Sequence, residues 1–136
     1  MASLKKLDIT FPFNDVLKLE NPKFGDGHSE LTMVVREVLL RSHGLLHGGV
    51  CVALIDSAIG LATYSSCPEG FTILTAQLNV NFTRPAKEAD TLIAIADVQH
   101  LGSKTAVVSC KVHNQSDELI ATASGTSMFV PLRDAK

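Results

Sequence analysis

Residues 45–67 read LLHGGVCVALIDSAIGLATYSSC, and Asp56 is the only Asp, Glu, Lys or Arg among them. From Val50 to about Tyr64 the residues are apolar on every face of the helix they would form, the pattern of a helix surrounded by other structure. The run is shorter than the ~20 residues that cross a bilayer. The rest of the chain therefore has to provide the cover. Gly48-Gly49 is unfavourable inside a helix but suits its start, where bare amides can approach something closely. An ionised carboxylate buried in such a helix costs free energy unless it is paired or used. Any reading of this chain must wrap the helix and account for Asp56.

The second half supplies the wrapping. Residues 72–83 alternate, with Leu74, Ala76, Leu78, Val80 and Phe82 on one face and Thr75, Gln77, Asn79, Asn81 and Thr83 on the other. That is a half-buried strand, ended by Arg84-Pro85. Residues 91–99, 105–113 and 118–130 read as three more strands, with connections at 101–103 and 114–117. Four consecutive strands with short loops argue for an antiparallel meander. Ahead of the helix, 29–40 reads as a strand that turns Leu31, Met33, Val35 and Leu39 to one side, with Glu37 interrupting the row. Residues 15–20 could form one or two helical turns, broken by Asn21-Pro22 and Gly25-Asp26-Gly27. One strand, a buried helix and four strands give an α+β class, with an antiparallel sheet curved around the helix in a single domain, 1–136.

Several classes are disfavoured. A net charge of -2 argues against an electrostatic nucleic-acid binder. The N-terminal MASLKKLDITFPF lacks the apolar core of a secretion signal, and no apolar run reaches membrane-spanning length. Cys51, Cys67 and Cys110 are odd in number and far apart, which fits free thiols and a cytoplasmic location better than disulfides or a CxxC metal site. His43 and His47 have metal-ligand spacing, but a glycine follows each and no third ligand is evident, so no metal is expected.

Two chemical elements remain. At the helix start, Gly48 and Gly49 offer backbone N–H groups at the positive end of the helix dipole, able to polarise a carbonyl or hold an anion. Asp56 offers a nucleophile or a general base. The two are eight residues apart, about 12 Å along one helix, whereas reacting atoms must approach to ~3 Å. If both serve one reaction, they come from different helices. Two antiparallel helices related by a two-fold axis would bring Gly48 of one chain to Asp56 of the other, placing the site between subunits of a homodimer.

His47-Gly48-Gly49, six residues, then Asp56, followed later by NVNFTRPA at 79–86, resembles the hotdog-fold acyl-CoA thioesterases, most of all their phenylacetate-degradation (PaaI-like) group. The resemblance covers about residues 39–129. It implies the hotdog fold, with dimers that often pair into tetramers, and hydrolysis of an acyl-CoA to free acid and coenzyme A with no metal or redox cofactor. It implies that the Gly48 amide polarises the thioester carbonyl, with Gly49 beside it. The partner's copy of Asp56 would attack the carbonyl or activate water. His47 would place the carbonyl or the loop. Thr75 corresponds to the Ser/Thr that holds the water or the Asp. Lys104 and Arg84 are candidates for the coenzyme A phosphates. The acyl pocket is expected at the dimer interface, near Ile59, Thr63 and the strand beginning at Phe71.

One position departs from the family pattern. Many members carry Asn six residues before the HGG histidine, where this chain has Arg41. Either His43 or Gln77 replaces that amide, or activity is weaker, or Arg41 contacts a substrate carboxylate or a coenzyme A phosphate. Other readings are a non-catalytic acyl-CoA binding protein, a hotdog dehydratase or hydratase, and a purely structural oligomer. Dehydration chemistry needs a His beside the acid, and five residues after Asp56 stands Leu61. A structural oligomer leaves Asp56 unexplained.

Overall fold

In the computed structural model, which describes residues 11–134, a single helical turn, α1 (Asn14–Leu17), leads into a hairpin of β1 (Glu20–Gly25) and β2 (His28–Val34). The expectation for the first ten residues lies outside the described part. Asp26 and Gly27 both have positive φ, 50° and 78°, the geometry of a two-residue turn whose twist matches the strands it joins. β1 is an element that the sequence reading missed, because Asn21-Pro22 reads as a breaker. Proline is tolerated there because β1 is an edge strand with a bulge between Glu20 and Lys23. The expected strand 29–40 stops at Val34. Val35 instead donates its N–H to Asp90 O, and Glu37–Leu39 form a short 3-10 turn. Leu31, Met33, Val35 and Leu39 are nevertheless all buried, as the spacing requires.

The apolar run folds as α2 (Gly48–Tyr64). Its end is marked by Thr63, whose hydroxyl donates to Ile59 O, and by Pro68 shortly beyond. Four strands follow: β3 (Phe71–Phe82), β4 (Thr91–Leu101), β5 (Thr105–His113) and β6 (Leu119–Pro131). The sheet order is β1-β2-β4-β5-β6-β3, antiparallel throughout, so the four-strand meander is corrected. β4, β5 and β6 form a meander, but β3 pairs with β6 at the far edge. Residues 83–90 are too long for a tight hairpin. They return along the helix start, where Leu46 donates its N–H to Ala86 O. The concave face mixes large side chains such as Leu31, Met33 and Leu92 with small ones, and Ala94, Ala96, Ala106 and Ala123 leave room for Leu54, Ile55, Ala58 and Ile59 of the helix. Gly125 is needed for that approach, since a Cβ there would lie 3.3 Å from Ile59 Cδ1 and 3.1 Å from Gln77 O.

The helix is not covered all round. Cys51, Leu54, Ile55, Ala58, Ile59 and Ala62 are buried, but Val52, Ala53, Asp56, Ser57 and Gly60 form a partly exposed stripe along the opposite side. The stripe carries the helix's one charge and its smaller residues, while Val52 and Ala53 in it are apolar enough to make the run read as covered on every side. β3 also departs from strict alternation. A bulge between Thr75 and Gln77 shifts its parity, so Ile73 and Thr75 face the helix along with Leu78 and Val80. Leu74, expected inside, is 53% exposed.

All three cysteines are free and buried. Burial raises the Cys51 thiol from 9.0 to about 11. Cys110 is raised to about 12, first by burial and then by the neighbouring Cys51 and Asp97. Both should resist alkylation near neutral pH in the native protein and react once it is unfolded, which mass spectrometry can follow. As pH rises above 9.0, unfolded thiols lose protons while folded ones keep them. The unfolded state then binds fewer protons, and thermal stability should fall between about pH 9 and 11. Among the described residues no helix is long and apolar enough to cross a membrane.

Candidate active site

His47 is the N-cap of α2, with φ -63° and ψ 128°. Its Nδ1 accepts the Gly49 N–H at 2.9 Å, and its carbonyl accepts the Val50 N–H at 3.0 Å. An accepting Nδ1 leaves the ring proton on Nε2. The imidazole lies over Gly49, where a Cβ would stand 3.0 Å from the ring, so a larger residue would push the ring aside. This corrects the expectation that both glycine amides are free. Gly49 spends its N–H on His47, and the Gly48 N–H alone has no acceptor among the described residues. The Phe82 ring packs beside Gly48, 3.5 Å from where a Cβ would stand.

The loop ahead of the helix is held tightly. Arg41 donates its N–H to Leu45 O and His47 to Leu39 O, while His43 and Gly44 turn the chain at φ +65° and +71°. Between this loop and the segment after β3 lies a cavity of about 370 Å³, whose walls include Gly48, Phe82, Arg41 and Arg84.

Asp56 sits two turns further on, on the open stripe of the helix. Thr75 Oγ1 donates to Asp56 Oδ1 at 2.6 Å. The bulge in β3 makes this contact possible, because it turns Thr75 towards the helix. One hydroxyl thus orients a carboxylate whose other oxygen remains available for chemistry. Within one chain the amide and the carboxylate stay about 12 Å apart along the helix, and no second chain is needed to fix either element.

A sequence profile of the Thioesterase superfamily matches residues 43–121, from the loop before the helix to β6. The chain belongs to that superfamily. The acyl-coenzyme A thioesterase PaaI of Escherichia coli is 32% identical over 102 residues, 75% of this chain and 71% of that protein. Its solved structure, described as the PaaI protein of the phenylacetic acid degradation operon, superposes with a TM-score of 0.83 at 28% identity, covering 89% of this chain and 86% of the other. A relative from Archaeoglobus fulgidus, named as an esterase, is 34% identical over 101 residues, 74% of this chain but 64% of that protein's length. A thioesterase from Streptococcus pneumoniae solved with coenzyme A matches at a TM-score of 0.77 and 28% identity, over 83% of this chain and 89% of the other. The hotdog fold that the resemblance implied is the fold of this chain.

The superfamily's pattern falls on scattered elements, and the structure assembles part of it. His47 and Gly48 lie together at the helix start, and Asp56 and Thr75 form a second pair. Arg41 and Arg84 join Gly48 around one cavity, and Arg84 is paired with Glu118 at 3.0 Å. Gln77 is not brought to the site. It stands opposite Thr126 on the outer face of the sheet, because the bulge that turns Thr75 inward turns its neighbour outward. Lys104 lies at the tip of the β4–β5 hairpin, where its carbonyl accepts the Phe129 N–H. It is separated from β3 by the width of β6. Ile59 and Thr63 themselves face the core, while their neighbours line a cavity. Both are buried, and Thr63 bonds to Ile59 O and Ser127. The apolar cavity beside the open stripe, about 270 Å³, is walled by Ser57, Gly60 and Tyr64 of the helix and by Thr72 and Ile73 of β3, where the acyl pocket was expected. Phe82 as a wall of the Gly48 cavity was missed. The signal was its place in the strand ending, three residues before Pro85.

Proposed function

We propose that the protein is an acyl-CoA thioesterase, hydrolysing a thioester to free acid and coenzyme A, and that its site is completed by a second copy of the chain. The observation that carries this is the pairing of an unsatisfied Gly48 amide with an oriented carboxylate, Asp56, on one helix of a thioesterase-superfamily chain. The E. coli relative is named for acyl-CoA hydrolysis, and the S. pneumoniae neighbour was solved with coenzyme A.

The thioester carbonyl would accept a hydrogen bond from the Gly48 N–H of one chain, where the helix dipole favours developing negative charge. Asp56 of the other chain would attack the carbonyl carbon, or take a proton from the attacking water. If Asp56 attacks, the coenzyme A thiolate leaves from the tetrahedral intermediate to give a mixed anhydride, which water hydrolyses to release the acid and regenerate Asp56; if water attacks, its proton passes through Asp56 to the departing thiolate and the acid forms directly. The reaction as proposed uses no cofactor beyond the coenzyme A of the substrate. His47 serves the site by capping the helix and occupying Gly49, which leaves one amide rather than two for the carbonyl. Arg84 and Lys104 remain candidates for coenzyme A phosphates, and Arg84 does so in competition with Glu118.

Dimerisation is supported by β3, an edge strand of 12 residues with no charged side chain, lying beside the open helix stripe. An unpaired edge of that kind is a template for another strand. Pairing two β3 edges about a two-fold axis would also set the two stripes face to face. Dimers could pair again into a tetramer. A single domain over 1–136 and a cytoplasmic location complete the proposal.

The direct test is release of free thiol from a panel of aryl and alkyl coenzyme A esters. Turnover of at least one is expected. Tight binding of these esters with no release of thiol would instead establish a non-catalytic binding protein. Thr75 gives a finer test as a positioning residue. Thr75→Val should lower kcat about 10-fold with KM little changed, because Asp56 loses the hydroxyl that orients it. Thr75→Ser should restore most of the rate, and the pH profile of kcat should shift in the valine variant alone.

A further inference from the structure

Arg41 stands where many superfamily members carry an asparagine, and the proposed reaction makes no use of it. Its surroundings say what it can do. The guanidinium is exposed, and its one hydrogen bond among the described residues is a long one, 3.4 Å to Ser42 Oγ. Among the described residues it has no carboxylate partner, whereas Arg84 across the cavity is held by Glu118. The backbone of Arg41 is fixed by its bond to Leu45 O and by the Leu40–Leu46 bridge, so its side chain projects from a rigid base. No acidic residue lines the cavity, and Leu45, Phe82, Pro85 and Ile120 give it largely apolar walls. A guanidinium with no carboxylate partner has its charge-assisted hydrogen bonds free for an anion that enters the cavity. The Gly48 amide forms part of the same wall.

We propose that Arg41 makes this cavity a seat for an anionic group of the substrate, so that the protein selects thioesters that carry one there. This rests on the reading that places the thioester carbonyl at Gly48. A cavity of 370 Å³ is about 7 Å across if taken as a cube, so the anion lies within one cavity width of the carbonyl. A carboxylate a few carbons along the acyl chain meets that distance. A coenzyme A phosphate meets it only if the pantetheine arm folds back. Arginine suits either group, because its fork can hold two oxygens at once.

The test uses stable thioether analogues, so binding is read without turnover. Butyl and 4-carboxybutyl thioethers, each on coenzyme A and on pantetheine, are titrated by calorimetry against the wild type, Arg41→Asn and Arg41→Lys. Arg41→Asn should cut the preference for the anionic ligand over its neutral counterpart by about 10-fold or more, and Arg41→Lys should keep part of it. Loss of the carboxybutyl preference on both carriers identifies an acyl carboxylate. Loss of the coenzyme A preference with both acyl groups identifies a phosphate. If Arg41→Asn shifts all four affinities by one factor, or none of them, Arg41 seats no anion and the proposal fails. Failure of the thioesterase reading appears separately, as absence of turnover on the matching esters with these affinities intact.

Discussion

Asp56→Asn should lower kcat on the best coenzyme A ester by about 10³-fold, with the fold intact. The substitution is close to isosteric, and an asparagine Oδ1 can still accept the Thr75 hydroxyl that Asp56 accepts at 2.6 Å. Nothing in the packing has to move. What is lost is the carboxylate itself, as nucleophile or base. Removing a general base costs ~10²–10⁴ in rate, and removing a nucleophile costs more. The position is partly exposed on the open stripe, so removing the charge should leave the melting temperature within a few degrees of wild type or raise it. A variant that melts normally and turns over at the wild-type rate would show that Asp56 has no chemical part, and the proposed thioesterase mechanism would be wrong.

The second large effect concerns Gly48. Proline is tolerated in the first turn of a helix and has no N–H. Gly48 is the first residue of α2, His47 before it is extended, and the space beside Gly48 meets only the Phe82 ring at ordinary contact distance. Gly48→Pro therefore deletes the free amide while keeping the helix. A single lost oxyanion donor costs ~10²–10³ in kcat. The informative experiment is to mix the two defective variants. If each site takes Asp56 from one chain and Gly48 from the other, a heterodimer of Asp56→Asn with Gly48→Pro holds one intact site of two. Random re-pairing makes about half the dimers mixed, so about a quarter of wild-type activity should return. With both groups drawn from one chain, every site would stay broken and mixing would restore nothing.

Much of this fold was readable because it rests on periodicity. The helix, β4, β5 and β6 all lie within two residues of their expected limits, since each has one buried face and an alternation or run that only one packing satisfies. What was not legible depended on partners distant in sequence. β3 alternates well enough to be read as a strand, but nothing in its own residues says that it pairs with β6 and not β4. The bulge at Thr75 is equally silent, and it decides both that Leu74 is exposed and that Thr75 reaches Asp56. The HGG spacing placed the amide and the carboxylate. Which of the two glycine amides is free followed only from the direction of the His47 ring.

The two edges of the sheet are unlike, and that sets a limit on assembly. β1 is short, bulged and carries Pro22 and Lys23, so it refuses another strand. β3 is long and uncharged, the kind of edge that another strand can extend. A chain with two receptive edges could add copies at both ends and grow into a fibre. With one receptive edge, a two-fold pairing exhausts every strand able to extend the sheet. Growth along the sheet then ends at two chains, and a higher assembly has to use a different surface.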